Sequence, residues 1–211
     1  MTEGHSGHLS GRGLHLWRGD RCLFRDLSIE LESGQLLHVT GSNGSGKTSL
    51  LRVLCGLSQP DEGAVRWRGG LIERLETRYS EQLAYLGHLE GSKGDLSALE
   101  NLRFHFSLRQ PLEDGVIEEA LAEMGLSRVR SLPVRFLSAG QRRRVALART
   151  ILSEVPMWIM DEPYANLDTQ GRALVTHKIT EHLVAGGLVA MAVHEALTFD
   201  IRRIVPLELG E

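Results

Sequence analysis

A glycine-rich segment of eight residues, GSNGSGKT at positions 41–48, restricts the folds open to this chain more than any other part of the sequence. It matches the pattern G-x-x-x-x-G-K-[ST], in which glycines allow a tight loop whose backbone N–H groups converge on phosphate oxygens. A mainly apolar strand candidate at residues 35–40 precedes the loop, and a helical pattern at residues 48–54 follows it. Because a helix N-terminus adds partial positive charge, the segment predicts a nucleotide phosphate site. The predicted ligands are Gly41, Ser42, Asn43, Gly44, Ser45, Gly46, Lys47, Thr48 and Ser49.

Two of these ligands are expected to take part in the chemistry itself. The ammonium of Lys47 would reach the β- and γ-phosphates, and the hydroxyl of Thr48 would bind Mg²⁺. The alternative is a glycine turn with an incidental lysine. The strand before the loop and the helix after it favour the phosphate site.

A pair of acids follows a second apolar strand candidate, MWIM at residues 157–160. The carboxyl end of a buried strand in such a sheet opens into the crevice where ligands bind. We therefore expect Asp161 to hold Mg²⁺, directly or through water, and Glu162 to polarise the attacking water as a general base. The alternative is a pair of acids that cap the turn at Pro163, and the phosphate loop makes it less favoured.

The order of the predicted elements indicates a single α/β domain over all 211 residues. Strand candidates that alternate with helical patterns predict a mainly parallel sheet core. It follows an N-terminal antiparallel β part that runs through Glu32, with breaks at Gly13, Gly19 and Asp20. We expect the catalytic core at about 1–87 and 138–211, with a short helical insertion at about 88–137, in which Ser97 and Glu100 fit a capping box that opens a helix. The net charge of −3 gives no overall signature of a nucleic-acid binder. No apolar run approaches the roughly 18 residues of a membrane span, and the polar start is unlike a secretory signal.

A further anion site is predicted at LSAGQ, residues 137–141, because small residues stand at a helix start for which Ser138 is the candidate cap. Together with the two motifs above, and in this order, it resembles the ATP-binding-cassette (ABC) family, whose signature is LSGGQ with LSAGQ as a variant. The resemblance covers nearly the whole chain. It implies an ABC-type P-loop NTPase fold and Mg²⁺-dependent hydrolysis of ATP. The three arginines that follow, at 142–144, are interpreted as a solvated helix face.

The same resemblance implies roles for further residues. Ala165–Asp168 would be the D-loop, and His194 would be the switch histidine that holds the γ-phosphate. In the family, the signature of one copy completes the ATP site of a second copy, head to tail. Ser138, Gly140 and Gln141 would then contact the γ-phosphate bound by Lys47 of the partner subunit.

At two places the sequence departs from the family pattern. His88 stands where most members carry a glutamine that couples the ATP site to the transporter. An imidazole can ligate a metal-bound water or accept a hydrogen bond, so we expect His88 beside the Mg²⁺ at the edge of the ATP site. The position of the aromatic residue that stacks on adenine falls at Arg18, with Trp17 beside it. Either planar group could stack on a base.

Two short phrases, YLGH at 85–88 and LSALENLRF at 96–104, resemble one branch of the family, the ATP-binding subunits of haem exporters of bacterial cytochrome c maturation. This implies a peripheral protein on the cytoplasmic face of the bacterial inner membrane. Its partners would be integral-membrane subunits, and it would contact the membrane only through them. No nucleic acid is expected as a partner. The alternatives are an ATPase subunit of another small ABC exporter and a soluble ABC ATPase without a transport role.

Overall fold

The computed structural model describes residues 7–75, 77–107, 111–194, 197 and 203–210. It divides the chain into two compact units. The first consists of Met1–Tyr85, Val155–Glu162 and Ile179–Glu211, and the second of Leu86–Glu154 and Pro163–Lys178.

Strands and helices alternate through much of the chain. The strands are β1 (His8–Arg18), β2 (Arg21–Glu32), β3 (Leu36–Gly41), β4 (Glu62–Trp67), β5 (Gly70–Leu71), β6 (Leu83–Leu86), β7 (Met157–Asp161), β8 (Leu188–Ala192) and β9 (Ile204–Leu209). The helices are α1 (Lys47–Leu54), α2 (Ile72–Leu75), α3 (Thr77–Ser80), α4 (Ala98–Ser107), α5 (Asp114–Glu123), α6 (Ala139–Leu152) and α7 (Thr169–Val184), with a 3₁₀ turn at Val134–Phe136.

An antiparallel sheet with the order β2-β1-β4-β5 forms from the N-terminal part of the chain, as the sequence predicts. A two-residue turn, Gly19-Asp20, joins β1 to β2, and Gly19 adopts a left-handed φ of 59° there. Gly13, predicted as a break, lies inside β1 at a shift in register between Gly11 and Leu14. A glycine at such a bulge bends a strand without ending it.

The second sheet has the order β6-β7-β8-β3-β9, and its pairings of β7 with β8, β8 with β3, and β3 with β9 are parallel. Ala192 at the end of β8 pairs with Val39 of β3 on one side and with Asp161 of β7 on the other. Three carboxyl ends therefore share one edge of the sheet. The glycine-rich loop, the acids after β7 and the segment after β8 all leave from this edge.

Apolar burial holds the helix after the loop against this sheet. Leu50, Leu51, Val53 and Leu54 of α1 are fully buried in the same cluster as residues of β3, β7 and β8. Each such side chain stabilises the fold by roughly 1.5–3 kcal/mol. This packing fixes α1, and so the start of α1, relative to the end of β3.

Helices dominate the second unit, and two of them begin at predicted caps. Ser97 Oγ accepts from the Glu100 N–H, and Glu100 accepts from the Ser97 N–H, which forms a capping box at α4. Ser138 and Gln141 form the corresponding box at the start of α6. Both caps that the sequence predicts are confirmed. β9 contains Pro206, which this strand tolerates because it lies at the edge of the second sheet.

Candidate nucleotide site

The glycine-rich loop joins the end of β3 to the start of α1. Gly41, with φ of 139°, lets the loop pack closely against its neighbours. A Cβ at this position would lie 2.5 Å from the carbonyl oxygen of Leu209 and 2.6 Å from Ser45 Oγ. Gly46 caps α1 in a left-handed conformation, with φ of 102°. A side chain at either position would strain the loop, which explains why glycine is needed at both.

The interior of the loop holds a cation and an unsatisfied hydroxyl. Lys47 is 8% exposed, and its Nζ donates to the carbonyl oxygens of Gly41 at 2.8 Å and Ser42 at 2.9 Å. The Oγ atom of Ser45 is buried and finds no hydrogen-bond partner among the described residues. A buried, orphaned hydroxyl beside a buried ammonium fits an anion bound in the loop.

A hydroxyl–carboxylate contact joins the start of α1 to the end of β7. Thr48 Oγ1 donates to Asp161 Oδ2 at 2.7 Å, and Asp161 is 3% exposed. The contact follows from the sheet, because β7 delivers Asp161 to the edge at which the loop leaves β3. These oxygens are ligands of the type that Mg²⁺ prefers, so the pair fits that ion.

A second carboxylate lies next to a histidine at the same edge. Glu162 has a left-handed φ of 51°, and its N–H donates to the Ala192 carbonyl at 3.0 Å. His194 Nε2 lies 3.3 Å from Glu162 Oε1, with side chains 50% and 29% exposed respectively. The two residues leave neighbouring strands, so the acid and the imidazole meet although they are distant in sequence.

The signature residues lie in the second unit. Ser138 is exposed at the start of α6, where Gln141 completes the capping box. Gly140 approaches the backbone closely, since a Cβ there would lie 2.5 Å from the Asn166 carbonyl oxygen. Glycine at 140 therefore has a packing reason as well as the predicted role at a phosphate.

His88 is also in the second unit, where its side chain is exposed, and the carbonyls around it are held by arginines of α6. Arg143 Nη1 donates to the Gly87 carbonyl at 2.8 Å, and Arg149 Nη2 donates to the Glu90 carbonyl at 3.0 Å. Arg142 forms an ion pair with the Glu90 carboxylate at 3.5 Å. The segment that carries His88 is thus tied to the helix that begins at the signature.

The interpretation of residues 142–144 as a solvated helix face is wrong. Arg143 is 2% exposed, and Arg144 donates to the Met124 carbonyl and to the Asp168 carboxylate at 2.7 Å. These guanidiniums serve as internal donors to carbonyls and to an acid inside the unit. A run of three arginines carries no signal in the sequence that distinguishes this arrangement from a charged surface.

A carboxylate at the start of α7 is held in its charged form. The backbone N–H of Gly171 donates to Asp168, and Arg144 lies beside it. The hydrogen bond first, and then the guanidinium charge, lower the pKa of Asp168. Asp168 therefore joins the D-loop segment to α6 as an anion at neutral pH.

The two candidates for adenine stacking stand at the end of the β1–β2 hairpin. Trp17 pairs with Cys22 across the hairpin and is 40% exposed, and the Arg25 guanidinium lies 5.6 Å from the centre of its ring. Arg18 pairs with Arg21. Adjacent strand residues point to opposite faces, so Trp17 and Arg18 point away from each other.

The first unit brings together five of the predicted residues: Lys47, Thr48, Asp161, Glu162 and His194. The predicted residues of the second unit are His88, Ser138, Gly140 and Gln141. In the described part of the chain, no group of three or more histidine, cysteine, aspartate or glutamate side chains is arranged to hold a metal. Sequence reasoning missed Arg143 and Arg149, which position the segment around His88.

The strand–loop–helix at Lys47 and the Thr48–Asp161 contact define a P-loop nucleoside triphosphatase, because they combine a phosphate cradle with oxygen atoms of the type that Mg²⁺ prefers. Residues 24–165 match the model of the ABC transporter family. The chain belongs to this family and is an ATPase of the ABC transporter type. The predicted fold class is confirmed.

Relatives and solved structures agree with this family. The chain is 50% identical over 195 residues to the cytochrome c biogenesis ATP-binding export protein CcmA of Methylococcus capsulatus, covering 92% of this chain and 93% of that protein. It is 43% identical over 199 residues to the protein of the same name from Yersinia pseudotuberculosis, covering 93% and 91%. The solved ATP-binding subunit of an ABC transporter superposes with a TM-score of 0.82 at 23% identity, covering 95% of this chain and 87% of that chain, and shares the fold. None of the described helices is long and apolar enough to cross a membrane.

Proposed function

We propose that this chain is the ATP-binding subunit of a bacterial exporter of cytochrome c biogenesis, and that its ATP hydrolysis drives the release or export of haem. The observation that carries this is the 50% identity, over more than nine-tenths of both chains, to a protein named for export in cytochrome c biogenesis. The phrases at 85–88 and 96–104 support the same branch.

The nucleotide binds with its β- and γ-phosphates in the loop, contacted by residues 41–49. Lys47 Nζ donates hydrogen bonds to two carbonyl oxygens of the loop, at 2.8 and 2.9 Å. When ATP binds, it donates to phosphate oxygens instead. A bound Mg²⁺ would supply positive charge beside the phosphates. Thr48 would hold it through its hydroxyl oxygen, which keeps its proton, and Asp161 through its carboxylate, in place of the present hydrogen bond between the two.

Hydrolysis uses the acid and the imidazole at the same edge of the sheet. Glu162 accepts a proton from the attacking water, as a carboxylate within one hydrogen bond of that water can. His194 holds the γ-phosphate and, through its contact with Glu162, orients the carboxylate. Most of the rate enhancement comes from fixed charges around the transferred group.

A second copy completes the site, head to tail. Ser138, Gly140 and Gln141 of one copy contact the γ-phosphate held by the other. The capping box supports this, because Ser138 Oγ accepts from Gln141 N and keeps its own proton for donation to a phosphate oxygen. Gly140 lets the start of the helix remain free of side chain at this point.

We also propose how the chain contacts its partner subunits and the adenine base. The chain works as one ATPase domain, with a core at about 1–87 and 138–211 and a helical insertion at about 88–137. It is peripheral on the cytoplasmic face of the inner membrane, bound to integral-membrane subunits, and His88 couples the ATP site to them. Arg18 stacks on adenine rather than Trp17, because Trp17 already contacts Arg25 on the opposite face of the hairpin.

Tagged chain purified from membranes of its own host tests the proposal. We expect integral-membrane subunits to co-purify, and covalent haem in c-type cytochromes to fall when Glu162→Gln replaces the wild type. Lys47→Ala is the matched control that lacks nucleotide binding. Two results together would overturn the proposal in favour of a soluble ABC ATPase. The active ATPase would purify without membrane subunits, and deletion of its gene would leave the c-type cytochromes of the host intact. Loss of a different exported compound would indicate another small exporter.

A further inference from the structure

Two arginines face each other where the β1–β2 hairpin turns. Arg18 and Arg21 are directly opposed across the strands, so their side chains lie on the same face. Both are exposed. In the part of the chain that the structure describes, neither has a carboxylate within ion-pair distance. Like charges directly opposed across two strands destabilise a hairpin. The repulsion between Arg18 and Arg21 therefore lowers the stability of the fold, and no ion pair of either residue compensates for it among the described residues.

This face of the hairpin lies beside the phosphate loop. Gly44 is the fourth residue of the loop, and a Cβ built on it would lie 3.6 Å from Arg21 Nη1. The guanidinium of Arg21 therefore lies close to the loop, on the side of Gly44 from which a side chain would project. Lys47 is a cation inside the same loop, and Arg21 adds a second cation close to Gly44.

The opposite face of the hairpin has a different arrangement. Arg25, on the same strand as Arg21, lies 5.6 Å from the ring centre of Trp17. Its charge therefore has an aromatic partner away from the loop. Arg21 and Arg25 differ in their neighbours, although both are exposed arginines of β2.

We propose that Arg21 is a nucleotide-binding residue that donates to the β- or γ-phosphate of the ATP bound in the loop. This role rests on the proposed nucleotide site and adds a ligand to it from outside the glycine-rich segment. A guanidinium suits the task because its planar fork matches two phosphate oxygens at once. The triphosphate then supplies a counter-ion for Arg21, which relieves its repulsion with Arg18 when the nucleotide binds.

Nucleotide titrations of the purified chain test this role. We expect Arg21→Gln to weaken ATP binding about tenfold, as for loss of a charge-assisted hydrogen bond at an accessible site. AMP binding should be unchanged, since AMP lacks the outer phosphates. Arg21→Lys should recover part of the affinity, because an ammonium keeps the charge without the fork. Arg25→Gln removes the same charge from the same strand and should leave ATP affinity within about twofold of wild type, because screening weakens more distant charges.

The melting temperature Tm distinguishes nucleotide binding from a purely structural role, because the two predict opposite shifts when Arg21 is replaced. Without nucleotide, Arg21→Gln should raise Tm by about 1–3 °C, because the opposed like charges are removed. With saturating ATP, the stabilisation by ligand should be smaller than in wild type. A structural arginine would instead lower Tm in both conditions when it is replaced.

Three results would overturn the role of Arg21. They are an ATP affinity of Arg21→Gln within twofold of wild type, an equal loss for AMP and ATP, or a lowered Tm without nucleotide. Lys47→Ala separates this from failure of the site itself. If Lys47→Ala binds ATP normally, the proposed nucleotide site is wrong; if it loses ATP while Arg21→Gln does not, only the inference about Arg21 is wrong.

Discussion

His194 Nε2 lies 3.3 Å from Glu162 Oε1, although one residue follows β8 and the other follows β7. The pairing of Asp161 with Ala192 brings these two chain segments side by side. Glu162 holds a left-handed φ of 51° at this point, which is a backbone conformation that costs energy for a residue with a side chain. In this conformation the carboxylate lies where the neighbouring imidazole can reach it.

The first prediction concerns Glu162 as the general base. We expect Glu162→Gln to bind ATP but to hydrolyse it at least about 10²-fold more slowly, because the amide cannot accept the proton. The variant should then collect as an ATP-bound dimer, visible by size-exclusion chromatography with ATP and Mg²⁺. A variant that remains monomeric at high protein concentration would count against the head-to-tail site.

Lys47 provides the second prediction. Lys47→Ala should weaken ATP binding strongly and abolish turnover, because the buried ammonium is the charge inside the loop. Equilibrium binding and ATPase assays check this, with circular dichroism as the control for folding. Near-normal hydrolysis by this variant would refute the assignment of the phosphate loop.

The third prediction concerns Arg143 as a positioning residue. Its bond to the Gly87 carbonyl holds the segment that carries His88. Arg143→Met keeps the apolar stem but leaves that carbonyl without its donor, so we expect a loss of about 1–3 kcal/mol in the free energy of unfolding. We also expect slower hydrolysis at unchanged ATP affinity.

A double-mutant cycle separates positioning from a general loss of stability. His88→Gln supplies the neutral side chain that the family carries, and it should retain most of the activity by itself. If Arg143 acts through His88, the effects on hydrolysis of Arg143→Met and His88→Gln should not be additive. Additive effects would show that Arg143 serves the fold alone.

Asp168 gives a prediction for pH. Its pKa is lowered in the folded chain by the Gly171 N–H and by Arg144. A group whose pKa is lowered on folding stabilises the fold above its unfolded pKa and loses that contribution as pH falls. Asp168→Asn should therefore lower Tm at pH 7, and the difference from wild type should shrink as pH falls below about 4, the ordinary aspartate range. Unfolding curves from pH 7 to pH 3 measure this, and a constant difference would contradict it.

Much of the site was predictable from short stretches of sequence. The phosphate loop, the caps at Ser97 and Ser138 and the acids after β7 each depend on residues within a few positions of one another. Glycine conformation, helix capping and strand-end geometry act over that same distance. For this reason the motifs by themselves indicate the chemistry.

The contacts between distant segments required the tertiary structure. Parallel pairing brings Asp161 to Thr48, and the hairpin register decides that Arg18 shares a face with Arg21 and not with Trp17. Arg143 looks like any surface arginine in the sequence, yet it is buried on the Gly87 carbonyl. Burial and register depend on which distant strands and helices pack together. A buried polar side chain then forms hydrogen bonds with the polar groups that this packing places beside it.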